Sequence, residues 1–114
     1  MDNEEFMRIV GCRMAKCLSV LEPKGKEYSR SHDRLWNFRR AGEILGNTPE
    51  DACLGMMVKH FVSIMDMVRD CNEGKSTPQV TKDEKFNDLH NYLYLLEALI
   101  SEHNNPTLED DTEL

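Results

Sequence analysis

The residues best suited to chemistry lie near position 88 of this 114-residue chain. Glu84 and Asp88 are four residues apart, and Asn91 follows Asp88 by about one further turn of a helix. Side chains at this spacing lie on one helix face, one above the other. Carboxylate oxygens so placed suit a single hard cation such as Mg²⁺. The pattern predicts a metal site formed by Glu84 and Asp88, with Asn91 as a neighbouring substrate contact.

Each of these acids also has a structural interpretation. Thr81 and Glu84 have the spacing of a capping box, in which Glu84 would only close the start of a helix. Asp88 lies beside apolar positions of the same segment, where an acid needs a partner or a metal. A nearby Lys or Arg would satisfy Asp88 as well as a cation would. The sequence leaves both interpretations open.

A second candidate site lies between positions 28 and 37. It combines an aromatic ring, two guanidinium groups and an amide, supplied by Tyr28, Arg30, Arg34 and Asn37. Guanidinium groups pair with phosphate oxygens, and a ring and an amide suit a base or a sugar. We therefore take these residues as candidate substrate contacts for a nucleotide. A row of polar residues like this one is also typical of a solvent-exposed helix face.

The pair Lys59-His60 adds a third candidate. Lys59 would contact phosphate, and His60 is the candidate catalytic residue that would orient water or phosphate. A lone histidine at the edge of an apolar helix face is also common as a satisfied boundary residue. Both interpretations of His60 stay open.

The spacing of apolar residues predicts an all-α protein, a four-helix bundle. Steps of three and four predict a first helix that ends at Pro23, a loop over 23–31, and a second helix capped by Ser31. Thr48 followed by Pro49 has the preferred order for the start of a third helix, which we expect to run to about Cys71.

The third and fourth helices are expected to supply most of the core. The fourth helix, capped by Thr81, is apolar over more than half of its circumference, so we expect it to be central. The expected apolar face of the third helix consists of Leu54, Met57, Phe61, Ile64, Met65 and Val68.

Composition indicates a single globular domain over 1–103 followed by an acidic flexible tail over 104–114. The net charge of −7 gives no general attraction for nucleic acid, although basic residues predominate between Lys24 and Arg40.

The four cysteines lack metal-ligand spacing. Without a leader or a transmembrane run, a cytoplasmic protein is expected.

Six segments in a fixed order carry a resemblance to a known family: Tyr28-Ser29, His32-Asp33-Arg34-Leu35-x-Asn37-Phe38, Ala41 to Gly46, Thr48-Pro49-Glu50, Gly55-Met56-Met57-x-Lys59-His60 and Glu84-Lys85-x-x-Asp88-Leu89-x-Asn91-Tyr92. As a set they resemble small phage proteins related to the nucleotide-modification-associated domain. That family is similar in turn to the all-α MazG-type NTP pyrophosphatases. The resemblance implies a MazG-like bundle, a nucleotide partner and the cytoplasm of a bacterial host.

The resemblance also implies what the candidate residues do. MazG-type enzymes bind Mg²⁺ through a Glu-Glu-x-x-Glu motif on one helix and a Glu-x-x-Asp motif on another. Glu84 and Asp88 correspond to the second motif, spaced four apart rather than three, and the first motif has no counterpart in helix 3. This departure bears on catalysis more than on nucleotide binding. A Mg²⁺-dependent phosphohydrolase and a protein that sequesters a nucleotide are both compatible with the sequence.

Two other expectations concern partners. A small acidic chain with a charged tail also suits a phage inhibitor that binds a host defence or regulatory protein. A helical module without a ligand is the third alternative. We further expect a homo-oligomer, because the first helix and the Met-rich third helix offer apolar surface for an interface, and MazG-like proteins often build sites between subunits.

Overall fold

The structure, a computed structural model, describes residues 1–28 and 32–105 of the chain. Within these residues the chain is all-α and contains no strand. The helices are α1 (Asn3–Tyr28), α2 (Trp36–Leu45), α3 (Pro49–Asn72) and α4 (Gln79–Asn104). The predicted four-helix architecture is therefore confirmed. The last nine residues of the predicted acidic tail lie outside the described residues.

The fourth helix is central to the packing. Both α1 and α3 pack against α4, and α2 packs against α3. The buried core cluster consists of Leu35, Phe38, Cys53, Met57 and Leu99. In the described ranges, none of the helices combines the length and hydropathy that spanning a bilayer requires.

The first helix is longer than the sequence predicted. Proline lacks a backbone N–H and was expected to end the helix, but Pro23 lies inside α1, which continues to Tyr28. This additional turn packs closely on the chain before α2, since a Cβ at Gly25 would lie 2.9 Å from Arg34 Nε. We infer that the packing offsets the lost hydrogen bond. The predicted loop was wrong over 23–28.

The second helix begins later than predicted, at Trp36. The expected cap Ser31 lies outside the described residues, and the residue before the helix, Leu35, makes no side-chain cap. Asp33 supports this start instead, because its Oδ1 accepts the Leu35 N–H at 3.0 Å. Arg39 holds Asp33 in place through a 2.6 Å ion pair.

A tight turn joins α2 to α3. Gly46 takes a left-handed conformation with φ 72°, and Gly42 is buried where an added Cβ would lie 2.9 Å from the Asn47 carbonyl oxygen. Thr48 then caps α3, since its hydroxyl accepts the Asp51 N–H at 3.1 Å. The predicted start of the third helix is confirmed.

The predicted capping box of α4 was wrong. The helix begins at Gln79 after Pro78, so Thr81 and Glu84 both lie inside it and no side chain caps it. The side-chain amide of Gln79 donates a hydrogen bond to Asp83 Oδ1 at 2.9 Å, one turn further along the helix. Glu84 is exposed and its carboxylate lies 3.5 Å from Lys85 Nζ. A structural capping role for Glu84 is therefore excluded.

The buried face of α3 differs from the predicted face. Its buried members are Ala52, Cys53, Met57, His60 and Met67. Met57 was predicted correctly, whereas Leu54, Phe61, Met65 and Val68 are each more than half exposed. Apolar residues cover two sides of α3, so spacing alone does not determine which side meets α2 and α4.

Ion pairs around Asp83 hold α1 against α4. Asp83 Oδ1 accepts from Arg13 and Lys16, each at 2.9 Å, in addition to its bond from the helix-start glutamine. Arg13 also donates to Asn87 Oδ1 at 2.7 Å, one turn along α4. These bonds, that of Lys16 first, lower the pKa of Asp83 from its ordinary value of 3.8 to about 2. The ionised carboxylate therefore stabilises this helix pair.

We expect Asp83→Asn to lower the unfolding temperature at pH 6. The stabilisation is complete above the ordinary pKa of 3.8 and is lost as the pH falls towards 2, because the folded carboxyl then takes up its proton. The difference between parent and variant should shrink over that window when both are followed by circular dichroism. Glu97→Gln, at an exposed position of α4, is the control. A difference that stays constant from pH 6 to pH 2 would contradict the assignment.

Candidate functional site

A pocket of about 330 Å³ lies where the four helices approach one another. Its volume is in the range of small-molecule sites. The lining residues are Val20, Leu21, Lys24, Arg34, Asn37, Phe38, Lys59, His60, Asp88, Asn91, Tyr92 and Leu95. Every helix therefore contributes to one site.

Most of the sequence-predicted site residues meet in this pocket. Those that line it are Arg34, Asn37, Lys59, His60, Asp88 and Asn91. Glu84 is not among the lining residues, and 63% of its side chain is exposed. Arg30 and the side chain of Tyr28 lie outside the part of the chain that the structure describes.

The pocket carries an excess of positive charge. Among the residues that the structure describes, Lys24, Arg34 and Lys59 line it together with the carboxylate of Asp88. Within residues 1–28 and 32–105, neither Arg34 nor Lys59 forms a salt bridge. This excess is local, because the whole chain has a net charge of −7. An anion would find its complement here rather than elsewhere on an acidic surface.

Sequence reasoning missed Lys24 as a site residue. It was assigned to a loop after Pro23, whereas the continued helix brings it to the pocket. The sequence did show a basic stretch that begins at Lys24. The spacing within that stretch, however, did not indicate that Lys24 and Arg34 would line the same pocket.

Asn91 presents an unpaired acceptor. The residue is 6% exposed, and its Nδ2 donates to the Cys17 carbonyl oxygen of α1 at 3.2 Å. A backbone carbonyl only accepts, so this bond fixes which way the amide points. The other amide atom, Oδ1, is buried without a hydrogen-bond partner. A buried acceptor without a hydrogen-bond partner is costly, and Asn91 is one of the residues that line the pocket.

His60 forms part of an aromatic wall. Its ring stacks on Tyr92 with centroids 5.2 Å apart, and Tyr92 in turn meets Phe38 edge-on at 6.4 Å. His60 Nδ1 lies 3.7 Å from Asp88 Oδ2. Burial lowers the pKa of His60 below 6.5, Asp88 opposes the change, and Lys59 adds to it. We infer a neutral imidazole at pH 7.

The two predicted metal ligands differ in how far their side chains are exposed to solvent. Asp88 lines the pocket, but Glu84, one turn earlier on α4, has a largely exposed side chain beside Lys85. Among the described residues, no group of three or more His, Cys, Asp or Glu side chains is arranged to hold a metal ion. Of the two predicted metal ligands, Asp88 lines the pocket and Glu84 does not.

The lowered pKa of His60 predicts a pH dependence of stability. The unfolded chain takes up a proton near pH 6.5, but the folded chain does so only at lower pH, so the free energy of unfolding falls as the pH drops below 6.5. The slope for one proton is at most about 1.4 kcal/mol per pH unit. His60→Gln should reduce that slope in urea titrations between pH 7 and pH 5. An unchanged slope in His60→Gln would refute the assignment.

Comparison with known protein-family models, with curated proteins and with solved structures gave no match. The resemblance to the nucleotide-modification-associated domain and to MazG-type enzymes accordingly stays a prediction from the sequence motifs. The observations on the site itself are its volume, its charge and the unpaired amide oxygen of Asn91.

Proposed function

We propose that the protein binds a nucleoside phosphate in the pocket between its four helices. The observation that carries this proposal is the convergence of Arg34 and Lys59, which form no salt bridge within the described residues, on one small-molecule-sized pocket in a protein of net charge −7. Cations brought together from separate elements repel one another, so the arrangement is most favourable with an anion between them.

The polar groups divide into two sets that match the two parts of such a ligand. Arg34 and Lys59 would pair with phosphate oxygens, the guanidinium group through two parallel hydrogen bonds. Asn37 and Asn91 would contact the base or sugar, with the buried Oδ1 of Asn91 accepting from an amino or hydroxyl group. The aromatic wall supplies an apolar surface for the base. Inorganic phosphate would engage only the first set.

We propose that Mg²⁺ would bind together with the nucleoside phosphate. Mg²⁺ is commonly held by one or two carboxylates together with substrate phosphates. Asp88 is the pocket carboxylate that would do this. Glu84, the second ligand predicted from the sequence, is not part of the pocket lining, so its role is tested separately. The bound ion would offset phosphate charge. The neutral imidazole of His60, 3.7 Å from Asp88, can accept or donate a hydrogen bond to a phosphate or a water.

Binding is proposed ahead of hydrolysis because the resemblance to MazG-type enzymes leads us to expect an acid cluster on α3, and α3 offers Lys59, His60, Ser63 and Asp66 instead. The finer identity, a MazG-like phage protein of nucleotide metabolism in the host cytoplasm, is proposed from the sequence motifs alone. The alternative of an inhibitor of a host protein depends on the acidic tail, most of which lies outside the described residues.

The phosphate contacts are tested by neutralising them one at a time. We expect Arg34→Gln and Lys59→Gln each to weaken binding of nucleoside triphosphates about tenfold or more, since a hydrogen bond to a charged group contributes roughly 1.5–3 kcal/mol. Isothermal titration calorimetry at two salt concentrations measures the loss. Lys75→Gln, an exposed lysine paired with Glu73, is the matched control. Equal affinity in all four proteins would overturn the proposed site.

The metal assignment has a separate test. Thermal shifts with a nucleotide panel are compared with and without Mg²⁺ on the parent, Asp88→Asn and Glu84→Gln. If Asp88 binds the ion, the Mg²⁺-dependent part of the shift disappears in Asp88→Asn while the Mg²⁺-independent part remains. A full Mg²⁺ effect in that variant would refute the assignment. Loss of the same part in Glu84→Gln would identify Glu84 as the second ligand.

A further inference from the structure

The third helix presents a second apolar stripe, away from the pocket and the core. Six large side chains form it, each between 48% and 57% exposed: Leu54, Val58, Phe61, Val62, Met65 and Val68. The core-facing residues of α3, such as Met57, His60 and Met67, are in contrast buried. We call this exposed set the α3 stripe.

The spacing of the α3 stripe is that of a helix-pairing seam. Positions 54, 58, 61, 65 and 68 follow one another in alternating steps of four and three. This is the a/d repeat of coiled coils, in which each apolar side chain packs between those of a facing helix. No described helix of the same chain covers these residues, since each is about half exposed.

The area of the α3 stripe is sufficient for a small stable interface. Half-exposed large side chains present on the order of 100 Å² each, which gives roughly 600 Å² per subunit and about 1,200 Å² for two copies, the lower end of specific interfaces. A patch of this size is at the upper limit for a monomer and is typical of an interaction surface.

We propose that the α3 stripe is the contact between two copies of this chain, with the two α3 helices packed antiparallel about a two-fold axis near Phe61. The stripe is nearly symmetric about this residue. In the antiparallel pair, Leu54 faces Val68 of the second copy and Val58 faces Met65 of the second copy. A two-fold axis uses the same patch on both subunits and closes the assembly as a dimer.

The helix dipoles favour the antiparallel direction, because the positive end of each α3 then lies beside the negative end of the other. Charged side chains do not decide the direction, since the first turn of α3 carries Glu50 and Asp51 and its last turn carries both Arg69 and Asp70.

The dimer is tested with the full chain by sedimentation equilibrium over a range of concentrations. The parent should behave as a dimer of twice 13.2 kDa, and Phe61→Glu should behave as a monomer with an unchanged circular dichroism spectrum. Ile44→Glu is the matched control, because Ile44 is an exposed apolar residue on α2, outside the α3 stripe. A monomeric parent, or a dimeric Phe61→Glu, would overturn the proposal, whatever the outcome of the nucleotide titrations.

The direction of the pair is tested by disulfide cross-linking in a background with exposed Cys12 and Cys71 changed to serine. Mixing Val58→Cys chains with Met65→Cys chains should give a cross-linked dimer on oxidation, and neither variant should cross-link efficiently alone. Efficient self-linking of each variant would show a parallel pair and refute the proposed geometry.

Discussion

The contact on which the site depends is the hydrogen bond from Asn91 of α4 to the Cys17 carbonyl oxygen of α1. It belongs to a row of polar residues spaced four apart on α4, in which Asp83 and Asn87 also bind α1. An apolar seam would hold the helices together without fixing their register. The polar row fixes it, and Oδ1 of the same Asn91 amide is buried without a hydrogen-bond partner. The side chain that joins α4 to α1 is thus also one that lines the pocket.

The charge of the pocket exists only in the folded chain. Lys24 comes from α1, Arg34 precedes α2 and Lys59 lies on α3, so the three cations are far apart along the sequence. Folding brings them around a pocket that Asp88 also lines. The ion pairs of Asp83 with Arg13 and Lys16 hold α1 against α4, and both helices contribute to this pocket. In our two proposals, the third helix contacts the ligand through Lys59 and a second copy of the chain through Phe61.

The sequence predicted what depends on local chemistry. The Thr48 cap, the four helices and the central position of α4 follow from side-chain types and apolar spacing. It failed where long-range packing decides: Pro23 lies within a helix because the following turn packs on Arg34, and the sequence could not show that partner. The apolar side of α3 was misassigned because two sides are apolar and only the assembled bundle selects one.

The candidate site, like the fold, was predicted from the sequence only in part. Residue type and order identified Asp88, Asn91, His60, Arg34, Asn37 and Lys59, all of which line the pocket. Spacing also placed Glu84 with Asp88, but Glu84 is largely exposed whereas Asp88 lines the pocket. Residues four apart on a helix differ by about 40° in direction, and one turn along the helix also moves a side chain towards the pocket rim. The unpaired oxygen of Asn91 was not predictable, since it results from the bond its own amide makes to α1.

The measurement that tests the central claim most directly is a ¹⁵N NMR titration of the protein with a nucleoside triphosphate, in parallel with inorganic pyrophosphate. The account predicts saturable shifts of the Asn91 side-chain NH₂ and of backbone amides at positions 34, 37 and 59 with the nucleotide. It predicts that pyrophosphate shifts positions 34 and 59 but leaves the Asn91 side chain little changed. Resonances of these residues that do not move with either ligand would contradict the account.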